Sequence, residues 1–163
     1  MDHLPYELRF EIIYENDNGG CIKVHVDYKP KTDAQILMII AREKAEKGHI
    51  VELIPELSWD QIELRVSTLP GVIGLKNPDL RINGKYVEVK ELKSNSDNTI
   101  SKRIKKANKQ AHQIILDLPK ERTEFDLYKI AKGKFMIMKK VEVLEFRYQG
   151  KYYTFTRSNF EKQ

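Results

Sequence analysis

The dipeptide Asn83-Gly84 separates two short runs, 79–82 and 85–92, that alternate apolar and polar residues. A two-residue type I′ turn needs positive φ at both positions, and Asn-Gly meets that need at low steric cost. Such a turn fixes pairing: Ile82 faces Lys85, Arg81 faces Tyr86, Leu80 faces Val87, and Asp79 faces Glu88. Opposed residues share a side of the sheet and successive residues alternate sides. One face is then Leu80, Val87 and Val89; the other carries Asp79, Arg81, Tyr86, Glu88 and Lys90. The expectation is two carboxylates across from each other, about 5 Å apart at Cβ, with Lys90 one step along. Like charges so placed destabilise a sheet, so Arg81 and Lys90, a metal ion or a shared proton must offset them. A surface ladder of ion pairs satisfies this pattern, and so does an active site.

The segment that follows reads as a helix from Ile100 to about His112. At about 100° per residue, Ile100, Ile104, Ala107 and Ala111 form one apolar stripe. Lys102, Lys105, Lys106 and Lys109 fall on the opposite side; Arg103 and Gln110 share one flank, Ser101 and Asn108 the other. Between Lys90 and Gln110 stand seven bases, Lys93 among them, against two acids, an excess equal to the net +5 of the whole chain. A solvated helix face explains lysines of this kind; a clustered excess also fits a phosphate-binding surface.

The 163 residues are expected to form a single domain, 1–163, with an N-terminal hairpin extension (1–30) and a core (31–163). Strands are read over Tyr6–Tyr14 and Cys21–Tyr28, joined by the turn residues 17–20. His25 reads as a surface or interface histidine. Thr32 and Gln35 look like a capping box for a helix to Lys47, stopped by Gly48, with Ile36, Ile39, Ile40 and Glu43 on its inner stripe and Leu37 alongside. A strand over 49–55 follows, then an ambiguous stretch with the lone Trp59. Further on come a strand over 114–118, a short helix from Phe125 to Lys132 ended by Gly133, and a last hairpin, 135–146 with 151–157, across Gln149-Gly150. No apolar run approaches the roughly 18 residues of a membrane-spanning helix, and Met1-Asp2-His3 does not open like a signal peptide. Cys21 has no intrachain partner and no Cys/His cluster suggests zinc. A cytoplasmic location and no membrane association are the expectations, with oligomeric state open.

The run Asn77 to Lys90, then Ser101 with Ile104, Lys106-Ala107-Asn108-Lys109-Gln110-Ala111 and Ile114-Ile115-Leu116-Asp117-Leu118, resembles the C-terminal tRNase domains of CdiA-type contact-dependent inhibition toxins. These fall in the barnase–EndoU–colicin–RelE-like class of nucleases. The likeness extends back to roughly Asp33 and takes in Gly48 to Pro55. It implies an α+β fold: N-terminal hairpin and helices packed on a small, mainly antiparallel sheet. It also implies metal-independent cleavage of RNA, tRNA first, with no cofactor and with a cognate immunity protein as partner. In that chemistry a 2′-hydroxyl attacks the neighbouring phosphate, a base takes its proton and a cation stabilises the oxyanion. The expected catalytic residues are Asp79, Glu88 and Lys90, joined late in the chain by Thr156 or Arg157. Lys90 is assigned to the phosphate and Glu88 to the base. Lys93, Lys102, Arg103, Lys106 and Gln110 are the expected nucleic-acid contacts. A histidine pair would have to come from His49 or His112.

The same residues fit a rival. Pro78-Asp79, eight intervening residues and Glu88-Val89-Lys90 match the PD-(D/E)XK nuclease pattern. There Asp79 and Glu88 would hold Mg²⁺ and Lys90 would help activate water. A third reading is an inactive nuclease fold from a mobile element that only binds nucleic acid.

Overall fold

The computed structural model describes residues 1–72, 76–108 and 111–161, the side chain of Glu161 excepted. Among these, eight strands and five α-helices give the expected α+β class. The chain forms two compact units, Met1–Tyr86 and Val87–Gln163, and each is described by itself. No helix among the described residues is long and apolar enough to cross a membrane.

In the first unit a 3-10 turn at Tyr6–Leu8 precedes β1 (Phe10–Glu15) and β2 (Cys21–His25), which pair antiparallel. The expected first strand thus loses its opening residues to the turn. Helix α1 (Ala34–Glu46) leads to β3 (Ile50–Leu53), parallel to β2, as a crossover of this length permits. Then α2 (Ile62–Thr68) precedes β4 (Leu80–Ile82), antiparallel to β3. Gly48 has φ 95°, the left-handed stop expected after α1. The capping box is not formed. Asp33 takes the N-cap position without a side-chain bond, and the Ala34 N–H goes to the Lys31 carbonyl at 3.0 Å.

The inner face of α1 is rotated by about one residue from the expectation. Ile36, Leu37, Ile40, Ala41, Lys44 and Ala45 are buried, while Ile39 is 41% exposed. The small Ala41–Ala45 edge faces inward, and Gly20 lies so close that a Cβ there would stand 1.8 Å from the Ala45 carbonyl oxygen. Asn16 and Asn18 fasten the same turn by donating to the Glu46 carbonyl at 2.9 and 2.8 Å. That bonding occupies an orphan carbonyl at the helix end. His25 is not a surface residue. It is 1% exposed between the rings of Tyr6 and Phe10, its Nε2 donating to the Tyr6 carbonyl at 2.7 Å.

The second unit continues β5 (Lys85–Glu91) into α3 (Asp97–Ala107), β6 (Gln113–Asp117), α4 (Glu124–Ile137), β7 (Val143–Tyr148), β8 (Lys151–Thr156) and α5 (Arg157–Glu161). β5 and β6 are parallel, as are β6 and β7; the final hairpin β7–β8 is antiparallel, turning through Gln149 (φ 47°) and Gly150 (φ 82°). Helix α3 starts earlier than its apolar stripe suggested, because Ser96 caps it by accepting from the Thr99 N–H at 3.2 Å. Helix α4 runs past Gly133 to Ile137, so the strand expected from Phe135 begins only at Val143. Its start is fixed by Thr123, which accepts from the Asp126 N–H at 3.2 Å. The core of this unit joins Ile100, Ile104 and Ala107 of α3 and Leu127, Ala131 and Phe135 of α4 to Ile114, Leu116, Leu144 and Phe146 of the strands.

Candidate active site

The turn is as expected: Asn83 has φ 50° and Gly84 φ 82°. It is also anchored. Asn83 accepts from the Ile50 N–H at 2.9 Å, and its own N–H goes to the Ile50 carbonyl at 2.8 Å. Its Nδ2 meets Nδ1 of His49 at 2.8 Å, which gives that histidine a structural task. His112 likewise bonds the Lys140 carbonyl at 3.1 Å through Nδ1.

Along β5, Tyr86, Val87, Glu88 and Val89 are all buried, so neither side of this strand is open to water. The Glu88 carboxylate accepts an ion pair from Lys90 Nζ at 3.4 Å; the glutamate side chain is 4% exposed and the lysine 19%. The parallel register sets Glu88 beside Ile114 and Lys90 beside Leu116. The pair therefore lies on the face of Leu144, Phe146 and Phe155, the apolar layer beneath α3 and α4. An ammonium two residues from a buried carboxylate can stabilise a developing phosphate oxyanion while the carboxylate accepts a proton.

Arg81 does not serve this pair. It forks onto Glu52, its directly facing partner on β3, with Nε–Oε1 2.8 Å and Nη2–Oε2 3.2 Å, and donates to the Thr68 carbonyl at 2.9 Å. Its pKa is raised: burial works against the charge, and the bonds and charge of Glu52 outweigh it. A surface ladder is not what forms. Asp79 is 8% exposed and Glu88 3%. Asp79 belongs to the first unit, just before β4, in a cleft lined also by Tyr28, Lys29, Lys31, Glu56 and Asn77. Burial raises the Tyr28 phenol, and the charges of Asp33 and Asp79 add to it. The approach to Asp79 is braced by Arg65, which is 6% exposed and donates to the carbonyls of Leu57 and Lys76 and to Asn77 Oδ1 at 2.6, 2.7 and 3.1 Å.

Thr156 pairs with Val143, so it points to the face opposite Glu88 and Lys90. Arg157 donates to the carbonyls of Val141 and Phe135, both at 2.9 Å, and to that of Met138, closing off the end of α4. Lys93, Lys102, Arg103, Lys105 and Lys106 are exposed, as a phosphate-binding surface requires, and Gln110 and Lys109 lie outside the described residues. Among the described residues no group of three or more His, Cys, Asp or Glu side chains is gathered to hold a metal.

One cluster had no signal in the sequence. On the Thr156 face, buried Glu145 accepts from Gln113 Nε2 at 2.5 Å and Thr154 Oγ1 at 3.1 Å, and Arg147 donates to Asp117 at 2.7 Å. The network ties three strands together beneath the surface.

Residues 76–147 match the family described as contact-dependent growth inhibition CdiA C-terminal domain. No curated protein matches the chain. Among solved structures, a chain of the CdiA-CT/CdiI toxin and immunity complex from Burkholderia pseudomallei is similar. It is 16% identical, with 78% of this chain and 96% of that chain covered and a TM-score of 0.54. At that identity the likeness is one of fold.

Proposed function

Taking residues 76–147 as a CdiA C-terminal domain, we propose that this chain is the toxic part of such a system and acts as a nuclease on RNA, tRNA first. The observation that carries this reading is the Glu88–Lys90 pair, a buried carboxylate with an ammonium at 3.4 Å, inside the matched segment. Lys90 stabilises the charge that builds on phosphate when the 2′-hydroxyl attacks. Glu88 accepts the hydroxyl proton, and the 5′-oxygen leaves after protonation by water or a neighbouring acid. The exposed bases Lys93, Lys102, Arg103 and Lys106 hold the polyanion by its backbone. A cognate immunity protein is the expected partner, by analogy with the similar toxin–immunity complex.

A second reading is favoured by the Glu-x-Lys spacing on one strand face after Pro78-Asp79. A carboxylate is the hard oxygen donor that Mg²⁺ takes, so Glu88 would help hold the ion and Lys90 would orient the attacking water. The ion would then supply Lewis acidity at the phosphate.

The deciding experiment is cleavage of tRNA by purified protein with EDTA present. Cleavage in EDTA supports transesterification. Cleavage only with added Mg²⁺ or Mn²⁺ hands the site to the second reading. Salt-dependent RNA binding without cleavage under either condition overturns both in favour of an inactive binding module.

A further inference from the structure

Helix α4 has an outer face that the core does not use. Leu127, Ala131 and Phe135 are buried, whereas Phe125 is 66% exposed and Met136 and Ile137 are each 74% exposed. Lys129 and Lys132 stand on the same outer side, and Lys139 and Lys140 are exposed just beyond the helix. From Phe125 to Lys140 there are five lysines and one acid, Asp126. The 14-residue helix extends this apolar and basic face over about 20 Å.

The display is held rigid. Arg157 donates to the carbonyls of Phe135, Met138 and Val141, so the helix end and the turn after it cannot fold the Met136–Ile137 pair inward. Lys129 stays over the Phe125 ring, with Nζ 4.8 Å from its centre, and meets Asp126 at 4.0 Å. At Gly133 neither φ nor crowding calls for a glycine, since a Cβ would meet nothing within 4 Å. Its missing side chain leaves the face flat between Lys132 and Met136.

We propose that this face docks on an anionic lipid bilayer. Phe125, Met136 and Ile137 enter the boundary between headgroups and acyl chains, while Lys132, Lys139 and Lys140 meet the lipid phosphates. Charge complementarity selects this occupant. A second copy would set four exposed lysines, Lys129, Lys132, Lys139 and Lys140, against the same four. An RNA would satisfy the lysines but leave the methionine and isoleucine in water. A bilayer with acidic headgroups satisfies both, and a helix of this length lies along it without crossing. This inference does not depend on the nuclease reading.

The test is co-sedimentation of the whole chain with vesicles of phosphatidylcholine, with and without phosphatidylglycerol. Binding is expected only to the vesicles containing phosphatidylglycerol, and salt should weaken it. Met136→Ser with Ile137→Ser should lower the partition coefficient by about tenfold or more. Lys139→Gln with Lys140→Gln should lower it too and flatten the salt dependence. Unfolding midpoints should be unchanged in both variants. Equal binding to both vesicles, no binding to either, or binding indifferent to the Met136/Ile137 change would overturn the proposal. Self-association that the same change abolishes would also overturn it, since a second copy would then own the face.

Discussion

Lys90 reaches back along its own strand to Glu88, Nζ to Oε1 3.4 Å, and the carboxylate it meets is almost wholly buried. Two tasks are open to such a pair, chemistry and support, and they separate by mutation. Lys90→Ala is expected to lower RNA cleavage by about 10²–10³-fold, the usual cost of losing one oxyanion stabiliser. It should also destabilise the fold by about 3 kcal/mol, because a buried carboxylate loses its counter-charge. Glu88→Gln with Lys90→Met removes both charges at similar volume and should recover most of that stability without recovering cleavage. Urea denaturation and a tRNA cleavage assay on the same preparations report the two effects. Full cleavage by either variant would remove the pair from the mechanism.

Arg81 and Glu52 face each other across β3 and β4 in a two-pronged pair, with side chains 13% and 18% exposed. Arg81→Met leaves Glu52 partly buried and unmatched, and should cost about 2–4 kcal/mol. Adding Glu52→Gln should return part of the loss, so the double-mutant cycle gives a coupling of about 1–3 kcal/mol. Strictly additive losses would show that the Thr68 carbonyl, and not Glu52, is the partner that matters.

What the sequence revealed of this architecture was mostly local. Asn83-Gly84 identified its turn because the φ requirement is a property of two residues. The apolar stripe Ile100, Ile104 and Ala107 was equally plain, since one helix face carries it. The burial of Glu88 was hidden, because alternation along β5 suggests one wet face and the structure covers both. Glu145 was hidden for a related reason: its partners Gln113 and Thr154 come from other strands, and nothing in 143–148 names them. Arg157 was hidden in another way. As a cation near the end of the last strand it looked like a site residue, whereas its guanidinium is engaged by three main-chain carbonyls.

Two glycines should respond in opposite directions to the same substitution. Gly20→Ala drives a methyl against the Ala45 carbonyl, a backbone atom that cannot swing away, and should cost about 3 kcal/mol or more. Gly133→Ala fills open space in a helix and should stabilise by about 0.5–1 kcal/mol. Thermal unfolding of the pair checks this. A tolerated Gly20→Ala would mean that β2 and α1 are not in the close contact described.

The last prediction concerns alkaline pH. The Tyr6 phenol is pushed from 10.0 up to about 12, first by burial and then by its hydrogen bond with Asp27. Its ring also rests 4.6 Å from that of His25. The folded chain therefore keeps this proton at a pH where the unfolded chain has released it. The contribution to stability is fully present below pH 10.0 and is lost as pH rises toward about 12. Phenylalanine cannot ionise in either state. The fall in urea midpoint across that window should accordingly be shallower in Tyr6→Phe than in the parent chain. The comparison subtracts the other tyrosines and the lysines, which titrate in both proteins. Equal slopes would mean that the Tyr6 phenol is free to ionise in the folded state, and that the Tyr6–Asp27 bond does not hold the N-terminal turn.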